Sequence, residues 1–239
     1  MSAFDQTKVL LCDADGSLFP SEEPAFDAST VVTNRFMAER GSDVRFEPEQ
    51  LRLATTGKNF RTTIVDLATR HRLSIDAAEL EDWVAEEKRV VSAHLGQVLR
   101  PDAQVQETLE ALAGRYRLVI VSSSALTRLD ACLNATGLAE LFPPELRFSA
   151  EDSLPVPASK PDPAVYRYAG EYLGVSTEQA IAIEDALPGV QSARAAGFVT
   201  LGLLRFVPES ERPERERQLS EAGAATVVRD WSEIGALLL

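Results

Sequence analysis

The chain holds only two cysteines, Cys12 and Cys132, among 239 residues. They are too few and too far apart for a disulfide framework or a cysteine zinc site. Histidine is as scarce. His71 and His94 are the only two, and packing or a helix surface is the expected place of each. No run of about 18 apolar residues is present to span a bilayer. Met1 to Lys8 show neither the basic start nor the long apolar core of a signal peptide, so a cytoplasmic location is expected. Positive charge is in deficit, with 24 Lys and Arg against 37 Asp and Glu and a net charge of −13. Nucleic acids and anionic membranes attract proteins through basic patches, so neither is an expected partner. A small anionic substrate stays open wherever a local cation offsets the general field. There is no internal repeat and no low-complexity tail.

What is present is an ordinary globular composition, 45% hydrophobic and 26% charged, on a chain long enough for a sizeable core. Apolar runs that read as buried strands recur at Lys8 to Asp13, Leu118 to Ser122, Ala180 to Asp185, Phe198 to Leu203 and Ala225 to Val228. Between them lie stretches of helical spacing. Ala103 to Arg115 follows Pro101-Asp102, and Ala125 to Thr136 ends at Gly137. Pro163 to Leu173 ends at Gly174, and Gly189 to Ala196 ends at Gly197. This alternation predicts an α/β fold, a parallel sheet with crossover helices. The segment from about Phe26 to Leu95 breaks it. Ser29 to Glu39, Lys58 to Arg70 and Asp76 to Leu95 read as helices with no strand among them, an insert that leaves the sheet after the first strand and returns near Gly96. Its place should be over the sheet end where Asp13 lies. Glu209 to Arg217, dense in both charge signs, reads as a solvated loop running into an exposed helix.

Chemistry gathers at the ends of these strands, where active sites of open α/β sheets lie. Asp13 and Asp15 stand where Val9-Leu10-Leu11-Cys12 gives way to Gly16-Ser17-Leu18. Two carboxylates so close resist burial unless a cation or a proton lies between them; turn formation is the simpler role of an Asp-Gly pair. After Leu118 to Val121 come Ser122, Ser123 and Ser124, which fit an anion site at a helix start and equally a serine N-cap. Lys160 precedes Pro161-Asp162-Pro163 at another helix start, where a lysine either points into water or meets a phosphate as a point charge. Ile181-Ala182-Ile183 ends in Glu184-Asp185, followed by a tight turn at Pro188-Gly189. Two acidic pairs together suit a hard cation such as Mg²⁺, which takes oxygen ligands and keeps waters for substrate.

Asp13-Ala14-Asp15-Gly16-Ser17, Ser122, Lys160-Pro161-Asp162-Pro163 and Glu184-Asp185 with Gly189-Val190 and Ala193 to Gly197 resemble, in order, the four motifs of the haloacid dehalogenase superfamily. The likeness covers nearly the whole chain. It implies a Rossmann-like catalytic core, residues 1–20 and 96–239, with a small helical cap inserted as residues 21–95. It further implies that Asp13 is a nucleophile that becomes an aspartyl-phosphate and that Asp15 is general acid and then base. Ser122 would hold the phosphoryl group, with Ser123 beside it. Lys160 would neutralise charge there, and Asp185 would join Asp13 and the Asp15 carbonyl on Mg²⁺, with Glu184 as an additional metal residue. Thr56-Gly57-Lys58-Asn59-Phe60-Arg61 resembles the cap loop that selects substrate, so that Gly57, Lys58 and Arg61 would meet the leaving group. A surface role is the alternative for these basic side chains.

The expected activity is a Mg²⁺-dependent phosphatase acting on a small, sugar-phosphate-like metabolite. A phosphomutase of the β-phosphoglucomutase type shares the same motifs. Relatives of that type carry a histidine a dozen residues beyond the nucleophile, whereas this chain has Ala25 there and Pro20 where an acidic residue is usual. A catalytically idle module that keeps the fold is a third alternative, opposed by the intact Asp13, Asp15, Lys160 and Asp185.

Overall fold

A computed structural model describes residues 6–55 and 59–239. Its centre is β1, Val9–Cys12, four residues with no exposed face. A strand buried on both sides needs cover on both sides, the condition that selects parallel sheets with crossover helices. Five further strands complete that sheet: β2 Arg117–Ser122, β3 Arg147–Ser149, β4 Ala180–Glu184, β5 Val199–Leu203 and β6 Thr226–Val228, in the order β3-β2-β1-β4-β5-β6. Every pairing is parallel. This is the Rossmann-like α/β architecture expected from the alternation of apolar runs and helical periods.

The chain divides into two compact units, one running up to Pro20 and resuming at Leu99–Leu239, the other Ser21–Val98. In the sheet unit, Val9, Leu11, Val119, Val121, Ala180 and Ala182 form one apolar layer with Val165, Tyr166 and Ala169 of α7, Ala164–Leu173. The other helices of this unit are α5 Ala103–Ala113, α6 Leu126–Thr136, α8 Leu187–Ala195, α9 Arg212–Glu221 and α10 Trp231–Leu238. Helices α6 and α7 both stop on a glycine in the left-handed region, Gly137 at φ 72° and Gly174 at φ 63°, a conformation that costs glycine no Cβ clash.

The helical unit consists of α1 Glu22–Glu39, α2 Pro48–Thr55, α3 Phe60–His71 and α4 Ala77–Val98. Phe36, Met37, Ile64, Leu67 and Ala68 make its core, with Trp83 edge-on to Phe36 at 5.6 Å between centroids. Asn34 pins the loop after α1 by exchanging two hydrogen bonds with the Phe46 backbone, at 2.8 and 2.9 Å. Asn59 caps α3 by accepting from the Thr62 N–H at 2.9 Å.

Several boundaries differ from the periodicity. Gly96 lies inside α4, and α1 starts at Glu22 rather than Ser29. Strand β3 and helix α2 have no counterpart in the reading of the runs, since three strand residues and eight helical ones are too short for a period to show. Pro188 and Gly189 form the first turn of α8 rather than a separate tight turn, in keeping with the tolerance of a first helical turn for proline.

Candidate active site

The parallel register sets the geometry. Cys12 stands opposite Ile120 on β2 and Ile183 on β4, so the next row holds Asp13, Val121 and Glu184. The Lys160 ammonium meets all three: Nζ donates to Asp13 Oδ1 at 2.6 Å, to Glu184 Oε1 at 2.7 Å and to the Val121 carbonyl at 2.8 Å. Each of its three protons thus has an acceptor. Burial works against the lysine charge, but Asp13 and Glu184 outweigh it and hold the ammonium above its ordinary pKa. Lys160 is a fixed cation at the sheet's carboxyl end.

The carboxylates around it outnumber the cations. Among the described residues, Asp13, Glu184 and Asp185 each offer a carboxylate oxygen, and these oxygens lie within 4.8 Å of one another. Against these three stand Lys160 and, at 3.7 Å from Asp185 Oδ2, Arg215 of α9. Burial pushes the Asp185 carboxyl well above its ordinary range, and Asp13 and Glu184 push it further. Burial likewise raises Asp13, with Lys160 pulling the other way. Glu184 is pushed up to about 7, by burial first, against the pull of Lys160. A set of oxygen donors with uncompensated negative charge fits a hard divalent cation such as Mg²⁺.

Tight packing shapes the cluster. Ser17 Oγ donates to Asp185 Oδ1 at 3.3 Å, and Arg215 donates to the Asp185 carbonyl at 2.8 Å. Gly16, at φ 80°, has no room for a side chain: a Cβ there would stand 2.3 Å from Asp185 Oδ2. A Cβ on Gly189 would stand 1.8 Å from Glu184 Oε2, so the α8 glycine makes space for the Glu184 carboxylate. Buried Tyr166 donates its hydroxyl proton to Glu184 Oε1.

The serine run after β2 is divided in its contacts. The buried Ser122 accepts the Ser124 N–H at 3.0 Å on its hydroxyl oxygen, and Ser123 Oγ accepts the Lys160 N–H at 3.1 Å, tying the two loops together. None of the three caps α6. That helix begins at Leu126, whose N–H is taken by Asp152 Oδ2 at 2.7 Å. The Asp15 side chain is engaged apart from the carboxylate cluster, by Ser124 Oγ at 2.6 Å and by Arg128 at 2.8 Å.

The sheet unit therefore brings Asp13, Lys160, Glu184 and Asp185 into contact, with Asp15 and the serines at neighbouring strand ends. Arg61 belongs to the helical unit, where its guanidinium donates to both Glu81 oxygens, at 2.6 Å from Nη2. Gly57 and Lys58 lie outside the described residues. Tyr166, Arg128 and Arg215 went unrecognised as site residues in the sequence, while Ser17 and Ser124 were marked only as members of the first motif and of the serine run. Tyr166 has the spacing of a core residue, and the two arginines are single charges on helices, so only contact across the fold distinguishes them.

Residues 7–197 match the family profile described as haloacid dehalogenase-like hydrolase. The chain is 28% identical to Protein CbbY of Cereibacter sphaeroides, over 96% of this chain and 95% of that one. It is 29% identical to the validoxylamine A 7'-phosphate phosphatase of Streptomyces hygroscopicus subsp. limoneus, over 95% and 98%. Among solved structures, a haloacid dehalogenase family hydrolase from Deinococcus radiodurans, with bound phosphate and sodium, superposes with a TM-score of 0.68 at 28% identity, covering 98% of each chain. The chain spans 61%, 18% and 37% of the length of three Arabidopsis thaliana relatives that it also matches.

Proposed function

Because the chain belongs to the haloacid dehalogenase-like hydrolase family, we propose that it is a Mg²⁺-dependent phosphatase. Its substrate on this reading is a small, sugar-phosphate-like metabolite, and its intermediate is an aspartyl-phosphate. The carrying observation is the buried Asp13 carboxylate at the end of β1, hydrogen-bonded at 2.6 Å to a lysine that also neutralises Glu184. The phosphate bound in the Deinococcus structure and the phosphatase relative point the same way.

An Asp13 oxygen attacks phosphorus, and the bond from phosphorus to the ester oxygen breaks as Asp15 delivers a proton to that oxygen. The Asp15 carboxylate then takes a proton from water. The water oxygen attacks phosphorus, the bond to Asp13 breaks, and free phosphate and the Asp13 carboxylate result. Lys160 offsets the phosphoryl charge, and the Ser122 hydroxyl, whose oxygen is already an acceptor, keeps its proton to donate to a phosphoryl oxygen. Phosphate-monoester hydrolysis is among the slowest uncatalysed reactions, so division through a carboxylate nucleophile lowers the barrier. Asp13 and Asp185, with Glu184 and the Asp15 carbonyl beside them, would hold Mg²⁺, which supplies Lewis-acid stabilisation of the phosphoryl oxygens. The helical unit would serve as a substrate-selecting cap, with Lys58 and Arg61 reading the leaving group.

The test is phosphate release from a panel of phosphorylated metabolites with and without Mg²⁺, followed by an acid quench during turnover and mapping of the adduct. The expected results are Mg²⁺-dependent release, an adduct on Asp13, and an inactive but folded Asp13→Asn. An active sample with no adduct on Asp13 would overturn the mechanism. Conversion of β-glucose 1-phosphate, primed with 1,6-bisphosphate, into glucose 6-phosphate with little free phosphate would replace the phosphatase by a mutase.

A further inference from the structure

Asp15 is the group that must both give and take a proton in the proposed reaction, and the following inference rests on that reading. Its two carboxylate oxygens are held separately, Oδ2 by the Ser124 hydroxyl at 2.6 Å and Oδ1 by the Arg128 guanidinium at 2.8 Å. Both partners come from the segment that opens α6. Ser124 is in turn fixed by its own N–H to Ser122 Oγ at 3.0 Å, and Arg128 lies within α6, whose start is capped by Asp152. One turn further along α6 lies the buried Cys132. The side chains of Asp15 and Arg128 are each 24% exposed, so the pair can be reached by a leaving group, unlike the enclosed Lys160.

We infer that Ser124 and Arg128 are positioning residues for proton transfer, setting the orientation of the Asp15 carboxylate from the N-terminal end of α6. A free aspartate samples several staggered rotamers. Two donors, Ser124 in the bend that leads into α6 and Arg128 in the first turn of that helix, select one of them, and a charge-assisted bond to a guanidinium fixes the carboxylate plane more firmly than a neutral bond. The contribution of such a hold is to keep the acid aligned with the departing oxygen, where small displacements cost rate steeply. It should therefore matter most when the leaving group needs a proton.

Two esters separate this role from a structural one. p-Nitrophenol leaves as a stable anion, whereas an alkoxide leaves only as it is protonated. Wild type, Arg128→Ala, Ser124→Ala, Arg128→Lys, Asp15→Ala and the double variant Arg128→Ala/Asp15→Ala are compared on p-nitrophenyl phosphate and propyl phosphate at saturating Mg²⁺. Arg128→Ala should lower kcat/KM, which reports only the steps up to departure of the leaving group, for the propyl ester by roughly tenfold or more beyond its effect on the aryl ester, a part of the 10²- to 10⁴-fold carried by the acid itself. KM should change little, Arg128→Lys should recover much of the loss, and Ser124→Ala should show a weaker form of the same pattern. The double variant should be no slower than Asp15→Ala, because residues that act as a unit are not additive. Equal losses on both esters, or additive losses in the double variant, would overturn the inference while leaving the functional reading intact. Full activity in Asp15→Ala would instead remove the functional reading and the inference with it.

Discussion

At the scale of single residues the site is defined by charge that cannot be diluted. Glu184 illustrates this, since its carboxyl is pushed up to about 7 from an ordinary 4.5 by burial, against the pull of Lys160. In the metal-free protein the native state then holds a proton that the unfolded chain releases in this interval. The associated stability is complete below about 4.5 and is lost as pH rises through about 7. The thermal midpoint in the presence of a chelator should accordingly fall between about pH 5 and pH 8, and Glu184→Gln should flatten the slope. A wild-type midpoint that rises over that range would contradict the assignment. Gly16 makes a steric counterpart. Gly16→Ala places a methyl in the Asp185 carboxylate at a residue with φ 80°, a backbone state that costs a non-glycine residue about 1–3 kcal/mol. The variant should be less stable and should lose most of its midpoint response to Mg²⁺; an unchanged response would show that Asp185 can move aside freely.

At the scale of elements, helices remote in sequence support the strand ends. The indole N–H of Trp231 in α10 donates to the Ser17 carbonyl at 2.9 Å, and Ser17 donates to Asp185. Trp231 is fully buried, so Trp231→Phe leaves a carbonyl without its donor at a cost of about 1–3 kcal/mol. Denaturant unfolding should show that loss, with weaker Mg²⁺ stabilisation because the Ser17 loop is less firmly held. Retention of full wild-type stability would mean that another donor reaches Ser17. The same scale shows where periodicity was enough and where it was not. Helices α5, α6 and α7 end near glycines or begin after proline-aspartate pairs, and their positions follow from those signals. Strand β3 is three residues, Arg147–Ser149, below the length at which a run can be told from a loop, and it exists because β2 offers an open edge for pairing.

At the scale of the whole molecule, net charge and metal act together. With three acidic groups crowded around Lys160 and Arg215 in a chain of net charge −13, Mg²⁺ should stabilise the fold. At about 100 times its Kd, a ligand specific to the native state adds about 2.7 kcal/mol, several degrees of midpoint for a chain of this size. Asp185→Asn should blunt both this shift and the activation by Mg²⁺. No shift at millimolar Mg²⁺ would argue that the cluster is neutralised by protons alone. Among the described residues no helix is long and apolar enough to cross a membrane.

The sequence by itself marked every strand of the sheet but β3, because buried parallel strands must be apolar throughout, and it marked Asp13, Glu184 and Asp185 as paired charges at the ends of such strands and Lys160 as a charge at a helix start. These features are local and are written in consecutive residues. Only the tertiary structure decided which groups share partners. The parallel register puts Asp13, Val121 and Glu184 in one row for the lysine. Tyr166 donates to Glu184 rather than merely filling the core, and Arg128 reaches Asp15 across 113 positions. A lone arginine in a helix or a tyrosine at a core spacing carries no mark of such a role, since hydrogen bonding depends on distance and direction in space, which adjacency along the chain does not encode.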